Sequence, residues 1–440
     1  MILCLHVPII ITAHVVSEST YMELWKVPKF LDGSTLLLSL SSVAAIVVGY
    51  AIGVLVRGRS RKSATSLVQF RSLYAHNRQS LRKLFFWTLN LTWIAAAIWL
   101  AGAVSQGLRP SDIKSLLLQQ AASSLKDDYF VTGAIPGVTS LTQLGMAAVI
   151  VGFLVFRLEN RRKTKWALIG LLSLNAVRAL LLSERVALIE VAVPAVVLFV
   201  HFKIHAGISR RLKTIITLAP IAGLVLLFLV FTGSEMFRSW TYYSSRSDSN
   251  IFEFGAARLM GYYLTAVNNS GLILTRVSTS FHAPVFTQEW LWKMPVLGKA
   301  MGDASVMAMA QYRILLKANA NLEFNNPGGI LLPLWDFGIT GGLFYWLAFG
   351  FVISKIYQSF RRGGLAGLLL YPLVYVGLLE LSRLLYLSDS RCFPSLVILA
   401  SAALLLGYPR RVKQARPAQV RRPSVVAPTA GLASTTILYK

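Results

Sequence analysis

The chain has 440 residues, 55% of them hydrophobic and 14% charged, and its 44 Lys and Arg against 18 Asp and Glu give a net charge of +26. This composition excludes an ordinary soluble globular domain and indicates a membrane protein. Basic loops beside anionic lipids account for the charge, so we expect no nucleic-acid partner. Cys4 and Cys392 are too few for a disulfide framework or a cysteine metal site.

Eight stretches are almost wholly apolar, and most reach the ~20 residues that a helix needs to cross a bilayer. They are residues 34–56, 84–104, 138–156, 166–202, 214–232, 338–356, 365–387 and 394–408. The fourth is too long for one helix, and its break at Ser183-Glu184-Arg185 predicts a hairpin of two spans. Residues 1–16 are apolar without a basic start or a cleavage site, which favours a marginal first span over a cleaved signal peptide. The sequence predicts an all-α polytopic integral membrane protein with about ten transmembrane helices.

Positive charge is concentrated in five segments between these spans. Residues 57–83, 157–165, 201–213, 355–362 and 409–440 together contain 27 Lys and Arg and a single acid, Glu159. Cytoplasmic loops of membrane proteins carry such an excess of basic residues. We therefore expect these segments and both termini to face the cytoplasm. The interpretation is one transmembrane domain at 1–408 followed by a basic, disordered tail at 409–440.

The outer segment at 233–329 is far longer than the other outer connections. Eight Trp and Tyr residues are spread through it, which is not the composition of a flexible linker. Apolar residues at helical spacing in 255–277 and 300–317 predict helices that lie across the outer mouth of the protein. Long ordered loops commonly carry function.

The hairpin holds ionisable residues in an otherwise apolar setting: Arg178, Glu184, Arg185 and Glu190. Such groups are costly at membrane depth and are candidates for function. If the helix continues, Arg178 and Arg185 lie two turns apart on one face and could hold a pyrophosphate. We take Arg185 as a catalytic candidate and Arg178 and Glu184 as substrate-binding candidates. The structural alternative is an ion pair of Arg185 with Glu184 or Glu190 that pins the turn.

The outer segment adds further candidates for binding a sugar phosphate. Arg258 precedes Tyr262 by four residues, so the pair would share a helix face and offer a charge and an aromatic surface. Arg276 and Arg313 also lie in apolar helical contexts, with solvated surface charge as the alternative. His282 is a candidate general base. It could equally bond a backbone carbonyl in the 280–284 turn.

The segment after this loop is polar and then returns to the bilayer. Asn325 and Asn326 are substrate-binding candidates, residues 326–329 predict a tight turn, and Pro333 predicts a break that leaves a short helix at the membrane mouth. Glycines at 338, 341 and 342 favour close helix packing. Asp336 is a candidate catalytic acid or base, or else the N-cap of the next span.

Several motifs of soluble enzymes are missing from the sequence. It has no Walker-type glycine loop, no Cys and His cluster with metal-ligand spacing, and no Gly-x-Ser-x-Gly elbow. We expect no cofactor and no metal.

Two local motifs and the overall layout resemble a family of membrane enzymes. The motifs are Leu182-Ser183-Glu184-Arg185-Val186-Ala187-Leu188 on the hairpin, and Asn325-Asn326 followed by Asp336-Phe337-Gly338-Ile339-Thr340-Gly341. With the large outer loop between them, they are similar to the Wzy-type polysaccharide polymerases, also described as oligosaccharide repeat-unit or O-antigen polymerases, which are related to O-antigen ligases. The ligases carry a His where this chain has residues 319–326, which disfavours a ligase and leaves the general base open.

The resemblance implies a multi-pass enzyme of the bacterial plasma membrane. It would transfer a growing glycan from polyprenyl pyrophosphate to a hydroxyl of the next lipid-linked unit at the outer face. The implied partners are polyprenyl-pyrophosphate-linked oligosaccharides and membrane lipids, and a chain-length regulator is a further candidate. A pre-positioned Arg would stabilise the charge on the leaving pyrophosphate.

Two other functions fit the same residues. A lipid-linked oligosaccharide flippase or other secondary transporter would explain Arg178 and Glu190 as cavity residues, although it does not require a long ordered outer loop. A lipid-linked glycosyltransferase of another fold would have an acidic pair on an early outer loop, where this chain has Asp127-Asp128.

Overall fold

A computed structural model describes most of the chain. The described residues are 2–56, 67–117, 129–130, 132–133, 135, 137–181, 185–205, 228–233, 235–236, 250–277, 284–294 and 304–407, with single positions between 214 and 298. Met1–Gly407 form one compact unit. The tail predicted at 409–440 lies outside the described residues.

Every regular element in these residues is helical. The helices are α1 (Ile2–Val15), α2 (Gly33–Leu55), α3 (Leu67–Ser105), α4 (Pro110–Leu117), α5 (Leu144–Glu159), α6 (Arg162–Leu181), α7 (Arg185–His205), α8 (Ile251–Arg276), α9 (Ala304–Asn319), α10 (Leu332–Arg361), α11 (Leu365–Glu380) and α12 (Phe393–Gly407). Short helical turns join several of them.

Five stretches within the described residues are long and apolar enough to cross a membrane. They are Gly33–Leu55, His76–Ser105, Thr139–Glu159, Val186–His205 and Leu332–Arg361. A sixth would be the pair Ile2–Val15 and Glu18–Trp25, which is bent by 96°. These helices are consistent with a multi-pass membrane protein, whereas the ten spans and their orientation stay predictions.

Large apolar side chains on these helices are exposed. Leu405 is 78% exposed, Phe344 70%, Trp87 68% and Leu37 67%. In water such an apolar surface would promote aggregation, whereas the hydrocarbon core of a bilayer is a favourable environment for it. The exposed side chains therefore agree with helices that face lipid.

The packing of α2 against α10 depends on glycine. A Cβ on Gly49 would lie 1.9 Å from the Leu347 carbonyl oxygen, and a Cβ on Gly350 would lie 2.0 Å from that of Ile46. The two backbones therefore touch at positions that no larger residue can occupy. Of the glycines that the sequence favoured for close packing, Gly342 lies against the short helix before Gly338, where its Cβ would be 2.6 Å from Leu334 Cα, whereas Gly49 and Gly350 make the contact between α2 and α10.

The helix break predicted at Pro333 lies elsewhere. Pro333 occupies the first turn of α10, where no intrahelical N–H donor is needed. The break is at Gly338, whose φ of 71° and ψ of 173° are accessible essentially only to glycine. A short helix does precede the main span as predicted, but glycine ends it.

The tight turn predicted at 326–329 is wrong. Gly328 N donates to the Ala266 carbonyl at 2.7 Å, and Gly329 N donates to the Leu381 carbonyl at 3.1 Å. The turn itself begins only at Gly329. Both amides bond to other parts of the fold, so this segment joins α8 to the end of α11.

The predicted hairpin break lies between two separate helices, since α6 ends at Leu181 and α7 begins at Arg185, and residues 182–184 lie outside the described residues. Because Arg178 and Arg185 belong to different helices, they do not share one helix face. The helices predicted over 255–277 and 300–317 are present as α8 and α9. Asn250 begins α8 with a capping box that includes Glu253.

Candidate functional site

The candidate site is built around Glu190, a carboxylate inside α7 that is only 2% exposed. The Tyr386 hydroxyl donates to Glu190 Oε1 at 2.9 Å, and Arg391 Nε lies 3.3 Å from the same oxygen. Tyr386 and Arg391 both belong to the connection between α11 and α12. A buried charge is tolerated only with such partners, so this connection is fixed against α7.

A second ion pair lies at the start of the same connection. Arg383 Nε lies 2.5 Å from Glu380 Oε2, and Glu380 is 2% exposed. Arg391 and Tyr263 of α8 are electrostatic neighbours of Arg383. Arg383 Nη2 is buried without a hydrogen-bond acceptor in the described part of the chain. A buried donor of this kind is suited to an anionic oxygen of a ligand.

Arg178 lies at the end of α6 and reaches α5 and α12 through Gln143. With the Gln143 amide oxygen turned toward the guanidinium, Arg178 Nη2 donates to it at 2.8 Å. The Ser395 hydroxyl of α12 donates to the Gln143 backbone carbonyl at 2.7 Å. The guanidinium also lies 5.2 Å from the centre of the Trp99 ring. Arg178 is therefore held at the end of the helices where α12 begins.

The outer segment docks onto this end of the protein through aromatic stacking. The Trp290 ring lies 4.1 Å from the Phe393 ring with an interplanar angle of 11°. The preceding residue, Glu289, is ion-paired with Lys293 and interacts with Asp389 of the α11–α12 connection. Burial, reinforced by Asp389, raises the pKa of Glu289 above its ordinary value. The raised pKa favours the protonated form of Glu289 and makes its carboxylate a stronger proton acceptor than an ordinary one.

Asp336 is fully buried and holds the backbone that leads to Glu289. Its Oδ2 accepts hydrogen bonds from Thr287 N at 2.7 Å and from Thr287 Oγ1 at 2.6 Å, and its carboxylate also accepts from Phe286 N at 3.1 Å. The alternative of an N-cap for the span at Gly338 is wrong, since the described hydrogen bonds of the Asp336 carboxylate come from residues 285–287 and not from the amides that follow Gly338. The geometry makes Asp336 a residue that positions 286–289.

Arg258 is enclosed within the protein. Its Nε lies 3.0 Å from Glu235 Oε2, its Nη1 contacts Glu323, and its guanidinium lies over Phe324 and Tyr262 at 4.8 and 5.9 Å. The predicted proximity of Arg258 and Tyr262 is confirmed. Two carboxylates already engage this guanidinium, so it joins α8 to both flanking segments of the outer loop.

The remaining predicted residues either lie at different places on the surface or fall outside the residues that the structure describes. Arg276 and Arg313 are exposed, and Arg313 is an electrostatic neighbour of Glu289. Asn325 is exposed and Asn326 half-buried, and their backbone carbonyls accept bonds from Tyr312 and Asn269. Arg185 is the first residue of α7, but its side chain lies outside the described part, as do Glu184 and His282. The described contacts do not bring Arg258, Arg276 and Arg313 together.

The sequence arguments missed Glu380, Arg383 and Arg391. The first two lie in the apolar stretch 365–387. An ionisable group at membrane depth is a candidate for function, and this rule, which we applied to the hairpin, would also have found these two residues. Arg391 has no such signal, because it occupies a short polar connection.

No family model, curated protein or solved structure matches the chain.

Proposed function

We propose that this protein is a membrane glycosyltransferase of the bacterial plasma membrane that polymerises polyprenyl-pyrophosphate-linked oligosaccharide repeat units at the outer face. The observation that carries the proposal is the pairing of Arg383 and Arg391 with the buried carboxylates Glu380 and Glu190. Trp290 of the segment 233–329 stacks on Phe393, directly after the connection that bears both arginines, and Glu289 interacts with Asp389 of that connection. Two guanidiniums beside a folded loop suit a pyrophosphate joined to a sugar chain.

The chemistry required of such a site is a single displacement. The oxygen of an acceptor hydroxyl bonds to the anomeric carbon of the donor glycan, and the bond from that carbon to the pyrophosphate oxygen breaks. The bonding electrons leave with polyprenyl pyrophosphate, whose charge Arg383 and Arg391 would stabilise. The hydroxyl proton passes to a base, and Glu289 is our choice because its environment favours proton uptake.

Arg185 remains a second candidate for the leaving-group contact. It begins α7 five residues before Glu190, so its backbone lies one to two turns from the centre of the site. A contribution from Arg185 would add to that of Arg383 and Arg391 and would not replace it.

The test is deletion of the gene followed by gel analysis of surface or secreted glycan. We expect long polymer to be replaced by single repeat units, and expect the wild-type gene to restore polymer. Arg383→Lys, which keeps the charge but loses the forked donor, should restore little. Arg109→Gln is the matched control, because Arg109 is exposed in a segment predicted to lie on the same side. Unchanged polymer length after deletion would refute the proposal.

The transporter alternative has one observation in its favour, namely that the carboxylate of Glu190 is buried inside an apolar helix. The deletion strain separates the two functions. Loss of a flippase would leave lipid-linked repeat units in the inner leaflet, whereas loss of a polymerase would leave them exposed on the outer face.

A further inference from the structure

Three tyrosines from three helices, Tyr50, Tyr357 and Tyr371, lie near the end of the helices opposite the candidate site, and Tyr375 lies deeper on the third helix. Tyr50 of α2 lies 6.3 Å from Tyr357 of α10, and Tyr357 lies 5.0 Å from Tyr371 of α11, measured between ring centroids. Tyr375, one turn further along α11, lies 6.0 Å from Tyr371. All four side chains are half-buried. We refer to these four residues as the tyrosine cluster.

The hydroxyls of the tyrosine cluster lack partners. Tyr50, Tyr357 and Tyr375 are all electrostatic neighbours of Tyr371, yet none of the four hydroxyls makes a hydrogen bond to any described residue. A buried tyrosine hydroxyl usually finds a partner within the protein. Tyr21, Tyr312 and Tyr386 follow that rule, since each donates to an oxygen of this chain. Several unpartnered donors in one place suit a ligand that supplies acceptors.

The surroundings of the tyrosine cluster are basic. The Arg361 guanidinium, at the end of α10, lies 6.0 Å from the Tyr357 ring centroid and is an electrostatic neighbour of Tyr50. Lys355, six residues before Arg361 on the same helix, donates to the Gly53 carbonyl at 3.0 Å. Hydroxyl donors beside cations favour an anionic ligand rich in oxygen acceptors, and phosphate is the common biological example.

The position of the cluster favours a lipid over a soluble anion. Tyr50 and Tyr357 belong to two of the helices that are long and apolar enough to cross a membrane. Each lies within about two turns of the helix end, at the depth where headgroups meet hydrocarbon. The same helices expose Ile52 and Val352, which suits a hydrocarbon tail.

We propose that the tyrosine cluster, together with Arg361, binds the phosphate group of an anionic membrane lipid. Under the predicted topology this lipid belongs to the cytoplasmic leaflet, across the membrane from the glycosyl-transfer site. The site does not depend on the proposed enzymatic activity.

The experiment measures lipid-dependent thermal stabilisation of the purified full-length protein in neutral detergent. Short-chain phosphatidylglycerol, phosphatidylcholine and inorganic phosphate are titrated separately. We expect phosphatidylglycerol to raise Tm more than phosphatidylcholine, and inorganic phosphate to have little effect. Tyr371→Phe and Tyr357→Phe keep the packed rings and remove only the hydroxyls. Each should weaken phosphatidylglycerol binding about tenfold, and the double variant more.

Tyr129→Phe is the matched control, because Tyr129 is half-buried and belongs to another part of the chain. It should bind phosphatidylglycerol as the wild type does. Equal binding by the wild type and the double variant would overturn the proposal and leave these tyrosines as interfacial anchors. Stabilisation by inorganic phosphate as large as that by phosphatidylglycerol would overturn the lipid assignment.

Discussion

At the scale of residues, the protein buries opposite charges together at one end of its helices. Glu190 and Glu380 are each 2% exposed and each has an arginine partner. Removing either arginine would take a cationic partner from a buried carboxylate, and breaking a buried ion pair in this way costs ~3–5 kcal/mol. Tests of function should therefore preserve the charge, which makes lysine the informative replacement.

The two arginines should act on one ligand if they hold a common pyrophosphate. We expect Arg383→Lys and Arg391→Lys each to reduce polymer formation about 100-fold at near-normal membrane abundance. The double variant should be little worse than either single variant, since the first loss already displaces the leaving group. Losses that multiply, measured with purified protein and lipid-linked repeat units, would mean that the arginines contact different groups.

Glu289 should make stability depend on pH. Its folded-state pKa is raised above the ordinary value, so the folded protein binds the proton more tightly than the unfolded chain. The resulting stabilisation is present below the ordinary pKa and is lost as pH rises through the folded-state pKa. We expect Tm of the wild type to fall relative to Glu289→Gln over that window. Parallel Tm profiles for the two proteins would show that Glu289 titrates normally.

At the scale of elements, the sequence predicted the positions of the helices better than the contacts between them. The hairpin break after Leu181 and the helices α8 and α9 follow from local periodicity. The break in α10 did not, because it depends on the backbone conformation of Gly338 in its tertiary setting. The ion pair of Glu190 with Arg391 joins segments that are distant in sequence, so no local pattern revealed it. The pair of Glu380 with Arg383 is local and lies in an apolar stretch, so the rule for ionisable groups at membrane depth would have found it.

Gly338 should tolerate no side chain. Gly338→Ala forces a Cβ onto a backbone with φ of 71° and ψ of 173°, at a cost of ~1–3 kcal/mol in unfolding free energy. Gly170→Ala is the matched control, because Gly170 is helical and its Cβ would approach Trp93 no closer than 3.6 Å. We expect a lower Tm for the first variant and an unchanged or higher Tm for the second. Equal Tm values would show that the break does not depend on glycine.

At the scale of the whole molecule, charge distribution and apolar helices together predict the orientation. Reporters fused after Lys83, Lys165 or Arg362 should report the cytoplasm, because these sites lie in the basic segments. A reporter at Asp248, within the long outer segment, should report the opposite side. A cytoplasmic signal at Asp248 would contradict the proposed topology, because it would place the candidate site at the cytoplasmic face and the tyrosine cluster at the outer face.

The central claim is that the chain lengthens a lipid-linked glycan, and the direct measurement is a polymerisation assay. Purified protein in liposomes is supplied with polyprenyl-pyrophosphate-linked repeat units, and the products are separated by size. We expect a ladder of glycans longer than one repeat, released polyprenyl pyrophosphate, and loss of both with the Arg383→Lys and Arg391→Lys double variant. Intact repeat units after incubation with folded protein, or a ladder that the double variant makes equally well, would contradict it.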